Sequence, residues 1–310
     1  MKIVLIGGWS GVSNLLKTFQ KDPDIQLSAI ISTSDSGGST GVLRQSYDVP
    51  ALGDIRKNLS ALAGENALWT EYRFRHGFLD EHPVGNIWLL WLVEKYGFRE
   101  GLARAHEMLG IAQNRIIPAT EEIHDILVTL NNGERILWEG HIIAQTHLTN
   151  NIYSIELTPR PHAFPPAVQA LEEADFILVW PGTFYTSIIP CFLPVGMIDA
   201  FQRSRAKKIY IANTANFPVG HCDGYDVDRY LSELARLVSD IAFDHILVHD
   251  TQEVSPDQCV AIGMSDTHKI IDNFLLPTIH TLQQGKYDTI PRNTLRHDAV
   301  KVLKTIKSLS

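Results

Sequence analysis

The chain has 310 residues, 45% hydrophobic and 20% charged, which excludes a disordered chain and gives enough length to bury a large core. A formal net charge of −8, with no basic stripe, excludes nucleic acid as a partner, because phosphate backbones are held by clustered Lys and Arg. The longest apolar run, residues 87–93, is far too short for a bilayer span, so no membrane segment is expected.

Residues 3–6 read as a buried first strand that runs straight into two glycines, too short for the core of a signal peptide. With Cys191, Cys222 and Cys259 scattered and no CxxC, a reduced cytoplasmic setting is expected. A helix over about 12–20 follows, with Leu15, Leu16 and Phe19 on one face. Further apolar runs at 27–31, 176–180, 208–212, 245–248 and 259–262 predict buried strands of βαβ units in a parallel sheet. Two stretches interrupt that alternation within one α/β domain covering 1–310. Residues from about 58 to 110 form a helical insertion closing a helix at Gly97, with Trp88 and Trp91 read as core. Residues from about 125 to 157 form a small β excursion, with Asn131-Asn132-Gly133-Glu134 as a hairpin loop. Pro165-Pro166 then opens a helix that ends near residue 174.

In open parallel sheets the ligand sits at the carboxyl ends of the strands, so those ends are where chemistry is sought. After the first strand, Gly7-Gly8-Trp9-Ser10-Gly11 opens a helix. Its glycines permit close backbone approach, and its free amides and the Ser10 hydroxyl can face phosphate; the alternative is a tight turn with no ligand. It is neither G-x-G-x-x-G nor a Walker loop. After the second strand comes Ser34-Asp35-Ser36-Gly37-Gly38-Ser39-Thr40-Gly41, read either as an anion-binding nest with Asp35 beside it or as a plain surface loop. In Gly53-Asp54-Ile55-Arg56-Lys57-Asn58, Asp54 reads as a helix cap that can also join Asp35 in holding Mg²⁺. Arg56 is either a phosphate clamp or an ordinary surface charge. Pro181-Gly182-Thr183-Phe184-Tyr185-Thr186-Ser187 makes a second polar cradle, and Asn213 ends the next strand. Asn86 reads as an N-cap and His82 as a satisfied core or surface histidine. No HExxH or paired ligand spacing supports a catalytic zinc, and no G-x-S-x-G supports an α/β-hydrolase.

In chain order the motifs are GGWSG at 7–11, SDSGGSTG at 34–41, GDIRKNLSAL at 53–62, YRF at 72–74 and HPVGN at 82–86. They continue with PGTFYTSIIP at 181–190, Asn213 through Asp223-Gly224-Tyr225, and LRHD at 295–298. Together they resemble the gluconeogenesis factor (YvcK-like) family, within the superfamily of 2-phospho-L-lactate transferase (CofD-like). The resemblance implies a Rossmann-like three-layer α/β/α fold with its ligand at the mouth formed by these loops. It implies a phosphate loop at Gly7, Gly8, Ser10 and Gly11, an acid at Asp35, a helix motif at Asp54, Arg56 and Asn58, and a late basic contact at Arg296. The transferase branch implies transfer of a phospholactyl group to a deazaflavin with Mg²⁺. The gluconeogenesis-factor branch implies binding of UDP-sugars and support of cell shape and of growth on gluconeogenic carbon.

Five positions depart from the pattern: Trp9, Ser36, Trp180, Cys191 and the segment Gly220-His221-Cys222. The indoles at glycine positions imply a crowded, narrowed mouth, and the acid lost at Ser36 weakens a metal-dependent transfer. The sequence therefore points to a cytoplasmic regulatory factor binding a phosphate-bearing small molecule, a nucleotide sugar or a dinucleotide. The alternative is a Mg²⁺-dependent transferase of a phosphoryl-linked group. No catalytic residue is assigned, an NAD(P) oxidoreductase rests on fold analogy alone, and a homo-oligomer is compatible with the sequence.

Overall fold

Strands covered by helices on both faces must be apolar at every position, and side-chain alternation then feeds two separate cores. The computed structural model shows this arrangement. It describes residues 1–111, 115–137, 151–180, 182–213, 225–239, 241–250, 269–272, 275–276, 279–280, 292–293 and 296–310. In chain order, β1 (Lys2–Ile6) leads through α1 (Trp9–Phe19) to β2 (Gln26–Ile31). Next come α2 (Gly38–Tyr47), α3 (Gly53–Ala63), α4 (Val84–Tyr96) and α5 (Phe98–Met108), with 3₁₀ turns at Gly64–Glu71 and Gly77–Leu79. The edge strand β3 (Arg115–Pro118) follows, then β4 (Asp125–Leu130), β5 (Arg135–Leu137) and β6 (Ile152–Thr158). The second half runs α6 (Pro165–Glu172), β7 (Phe176–Val179), a π-helical turn (Phe184–Ile188), α7 (Ile189–Phe192), α8 (Met197–Arg203) and β8 (Lys207–Ile211). It continues with α9 (Val227–Val238), β9 (His245–His249), β10 (Lys269–Asp272), the two-residue strands β11 (Leu275–Leu276), β12 (Ile279–His280), β13 (Arg292–Asn293) and β14 (Arg296–His297), and α10 (Ala299–Ser308).

The main sheet has seven strands in the order β10-β9-β8-β7-β1-β2-β3, and every neighbouring pair is parallel. On β1, Ile3 and Leu5 enter one core with Leu15, Ile55, Leu59, Leu89 and Val302. Val4 and Ile6 enter the other, with Leu171, Ile189, Phe201 and Leu234. So α1, α3, α4 and α10 cover one face and α6 to α9 the other. β4, β5 and β6 form a separate antiparallel sheet whose Ile126, Val128 and Ile155 join the second core.

The expected strands at 3–6, 27–31, 176–180, 208–212 and 245–248 are present, and residues 259–262 lie outside the described residues. The first helix starts at Trp9, three residues before the apolar periodicity begins, because glycines and serine carry its first turn. Trp91 is exposed beside Lys95 and Tyr96, and Trp88 is half-buried and edge-on to Trp69. The buried core of α4 is Leu89, Leu90 and Leu92, with Trp88 packed against it. β3, whose four residues begin with an arginine and end with a proline, is too short to stand out as an apolar run. Among the described residues, no helix is long and apolar enough to cross a membrane.

Two histidines, His106 half-buried and His297 buried, help close this fold. His106 of α5 accepts the Ile116 N–H of β3 at Nε2 (2.9 Å) and donates from Nδ1 to the Leu102 carbonyl (2.8 Å). His297 of β14 bonds the Ala212 carbonyl at the end of β8 (3.0 Å) and packs against Trp180 with the rings tilted by 58°. Burial lowers the pKa of both, that of His297 to about 3. The native state therefore binds fewer protons than the unfolded chain, and stability held above about pH 6.5 is lost as pH falls from there toward 3. At pH 5 the His297 contribution to this loss is about 2 kcal/mol. Denaturant titrations at pH 7.5 and pH 5 should show a smaller acid loss for His297→Gln than for the parent; equal losses would contradict this assignment.

Candidate functional site

The order of strands in the main sheet reverses direction between β1 and β7, so the loops leaving their carboxyl ends part and open a cleft. Gly7 ends β1 at φ +152, a backbone conformation that disfavours a side chain. Gly8 is the N-cap of α1, so the first-turn amides of Trp9, Ser10 and Gly11, which have no intrahelical acceptors, start at this cleft. A methyl placed on Gly8 would lie 3.0 Å from Ser187 Cβ and 3.1 Å from Asp54 Oδ2. One placed on Gly182 would lie 3.3 Å from the Gly8 carbonyl. Three loops far apart in sequence thus meet at one point. Asn213 joins them by donating Nδ2–H to the Gly182 carbonyl (3.4 Å).

The loop after β2 forms the next part of the wall. Asp35 Oδ1 accepts the Gly37 N–H (3.0 Å), Gly37 is the N-cap of α2, and Gly38 lies at φ +48. A methyl on Gly53 would be 3.6 Å from Asp35 Oδ2 and would collide with Thr40 Oγ1. Asp35 and Asp54 therefore flank Gly53. Asp54 does not cap α3: the N-cap is Leu52 and Asp54 sits in the first turn, where its charge suits the helix dipole. Its Oδ1 is 3.5 Å from Lys57 Nζ. Asn58 donates to the Asp54 carbonyl (2.8 Å) and accepts from Ser13 Oγ (3.2 Å), tying α3 to α1.

The helical insertion supplies the remaining wall. Asn86 is not a cap either, since Pro83 holds that position. Its Nδ2 donates to Ser39 Oγ (3.0 Å), which leaves the Ser39 hydroxyl proton for His82 Nδ1 (2.8 Å). His82 is thus a buried member of the wall rather than an isolated histidine. Arg56 is not a surface charge. Its guanidinium is buried, runs past Gly85, and reaches Glu71 (2.6 Å) and the Thr70 carbonyl (3.5 Å). Arg56 Nε, Asn86 Oδ1 and Asn213 Oδ1 are buried without a hydrogen-bond partner among the described residues, a costly state in a closed interior.

A second buried network fixes the Asp35 loop from outside. Arg44 of α2 donates to the carbonyls of Asp35 (3.3 Å) and His124 and pairs with Asp125 (3.0 Å) at the start of β4. His124 donates from Nδ1 to the Glu122 carbonyl (2.8 Å), so its Nε2 accepts the Ser34 hydroxyl (2.8 Å). Burial, followed by the nearby Arg44 charge, lowers the His124 pKa and keeps it neutral in this role.

Other expected residues are placed elsewhere. The Tyr185 hydroxyl is buried against Tyr225 (3.2 Å) and Glu233 (3.3 Å), away from the Gly8 contact. Thr183 caps the π-helical turn and accepts the Ser187 N–H (2.7 Å), while Thr186 is half-buried. Trp180 does not narrow the mouth, because its indole is buried in the core with α1 and packs at a tilt against His297. The side chains of Trp9, Ser10, Gly11 and Arg296, together with Pro181 and residues 220–224, lie outside what is described. Cys191 is sealed below the cleft, donating to the Ser187 carbonyl (3.1 Å). Burial and the Asp54 charge push its thiol up to about 12, so it is no nucleophile. Arg44 and His124, which brace the Asp35 loop from outside, are the residues that sequence reasoning missed, and neither carried a local signal.

Among the described residues, no three His, Cys, Asp or Glu side chains gather as a metal cage.

A model of the family described as 2-phospho-L-lactate transferase CofD matches residues 3–272. A protein of Thermotoga maritima named putative gluconeogenesis factor is 34% identical over 80% of this chain and 79% of its own length. A gluconeogenesis factor of Halalkalibacterium halodurans is 29% identical, over 98% of this chain and 95% of its own. A crystal structure of a UPF0052 family protein from Bacillus halodurans superposes with a TM-score of 0.85 at 26% identity, over 98% of this chain and 99% of that one. These likenesses support a metabolic regulatory or phosphotransferase-like role. The matched span takes in β1 through β10 and every loop of the cleft, and on that ground the chain belongs to the CofD family, among its gluconeogenesis factors.

Proposed function

We propose that the chain is a regulatory factor of central carbon metabolism and cell morphogenesis that binds a nucleotide sugar or dinucleotide in the β1/β7 cleft. The observation that carries this reading is the convergence of three loops at Gly8: a methyl built there would lie 3.0 Å from Ser187 Cβ and 3.1 Å from Asp54 Oδ2, and one built on Gly182 would lie 3.3 Å from the Gly8 carbonyl. Backbone amides at the start of α1 supply positive potential for the diphosphate without any lysine. The partnerless atoms Arg56 Nε, Asn86 Oδ1 and Asn213 Oδ1 supply one donor and two acceptors for the rest of the ligand. Mg²⁺ would be held by Asp35 and Asp54 and would neutralise phosphate charge next to those carboxylates. A second reading, transfer of a phosphoryl-linked group, is favoured by that same pair of acids flanking Gly53.

Calorimetry with a panel of UDP-sugars, NADP and guanosine diphosphate-type donors, each with and without Mg²⁺, tests the reading. Ser187→Ala should weaken the best ligand by about tenfold, the equivalent of one hydrogen bond, with the melting temperature retained. Unchanged affinity would remove Ser187 from the site, and no response to any member of the panel would remove the reading itself. Asp54→Asn should abolish the tightening that Mg²⁺ brings; equal Mg²⁺ sensitivity in variant and parent would count against the shared cation. Release of free nucleotide only when a deazaflavin acceptor is added would favour transfer.

A further inference from the structure

Residues 37–41, Gly-Gly-Ser-Thr-Gly, do carry the G-x-S-x-G spacing, which the expectation drawn from sequence overlooked. That spacing displays a serine where a chain leaves a strand and turns into a helix, and here Ser39 lies between β2 and α2. A methyl on Gly41 would collide with the Ser36 carbonyl, so the turn closes tightly behind the serine. In front of it, a methyl on Gly38 would meet nothing within 4 Å, so the approach is open. Unlike a hydrolase elbow, the left-handed residue is Gly38, not the serine.

Two side chains hold the Ser39 hydroxyl. His82 Nδ1 receives its proton at 2.8 Å, and Asn86 Nδ2 donates to Oγ at 3.0 Å. The imidazole is anchored through its own backbone, whose N–H donates to the Leu79 carbonyl (2.9 Å) and whose carbonyl accepts the Phe74 N–H (3.1 Å). At the start of α2 the amides of Gly38, Ser39 and Thr40 have no intrahelical acceptor. Asn86, 2% exposed, keeps Oδ1 without a hydrogen-bond partner among the described residues, an acceptor left for a ligand's donor. Thr40 lies against Gly53, next to the Asp54 that reaches Gly8, so the serine shares the wall of the cleft.

We propose that Ser39 is a nucleophile, with His82 as its general base, that attacks the phosphoanhydride of a nucleoside diphosphate ester in the cleft. This rests on the phosphoryl-transfer reading above. Ser39 Oγ bonds to the outer phosphorus, and the bond from that phosphorus to the bridging oxygen breaks. The nucleoside monophosphate leaves with that oxygen, and the hydroxyl proton passes to His82 Nδ1. The amides at the start of α2 face the charge that builds on the phosphoryl oxygens. The step leaves a phosphodiester on Ser39.

Diisopropyl fluorophosphate, a phosphorus electrophile that needs no nucleotide site, tests the nucleophile. Peptide mapping of the treated parent should find the label on Ser39. Ser39→Ala should abolish it and His82→Gln should slow it about a hundredfold, with melting temperatures unchanged. Incubation with UDP-glucose and Mg²⁺ tests the substrate class. Mass spectrometry should find a hexosyl phosphate on Ser39 and one equivalent of UMP released. A parent unlabelled at Ser39 by the fluorophosphate overturns the proposal. So does an absent adduct while calorimetry shows UDP-glucose bound, and in that case the binding reading stands. Absence of binding by every nucleotide removes that reading and the proposed step with it.

Discussion

The handedness of parallel crossovers constrains everything else in this protein. A strand-helix-strand connection between parallel strands turns right-handed, so stepping from β1 to β2 to β3 puts α1 through α5 on one face. When the chain returns to β7 on the opposite side of β1, the same handedness sends α6 to α9 to the other face. The loops after β1 and β7 must then diverge. The cleft is thus a geometric by-product of packing, available to polar chemistry without any loss of core.

Around that cleft the chain has substituted position for charge. The body is net acidic, yet the glycine turns after β1 and β7 and the starts of α1 and α3 meet at one place. Arg56 is buried and tied to Glu71, and Lys57 lies beside Asp54. The wall is assembled from sequence segments as distant as residues 8, 54, 86, 182 and 213. Its rigidity comes from behind, through Arg44 and His124, which join the Asp35 loop to the first residue of the antiparallel sheet. That small sheet is therefore part of the site's support as well as a cover for the core.

Much of this was legible in the chain itself. Continuous apolar runs marked five of the seven parallel strands, and the glycine-rich turns after β1, β2 and β7 marked the cleft, because both signals are local. Local reasoning failed where a side chain's role is set by a distant neighbour. Asp54 and Asn86 look like caps in isolation, and only the fold brings them to Gly8 and Ser39. Arg56 looks like a surface charge until the insertion closes over it. Tyr185 looks like part of a hydroxyl cradle, but the π-helical turn rotates it toward Tyr225. His124 lies 90 residues from its partner Ser34, and no spacing rule reaches that far. Trp180 shows that an indole at a glycine position need not crowd a cleft when the strand directs it to the opposite side.

The imidazole of His106 has a role beyond holding α5 to β3. A sheet's outermost strand is a template on which a foreign backbone can add, and proteins that expose one risk fibrous growth. Here the Ile116 N–H is capped by the neutral ring nitrogen, so that edge offers a newcomer one donor fewer. A ring that gains a proton can no longer accept, and the cap becomes a repellent. The shielding of this rim therefore hangs on one imidazole staying neutral, which its burial favours.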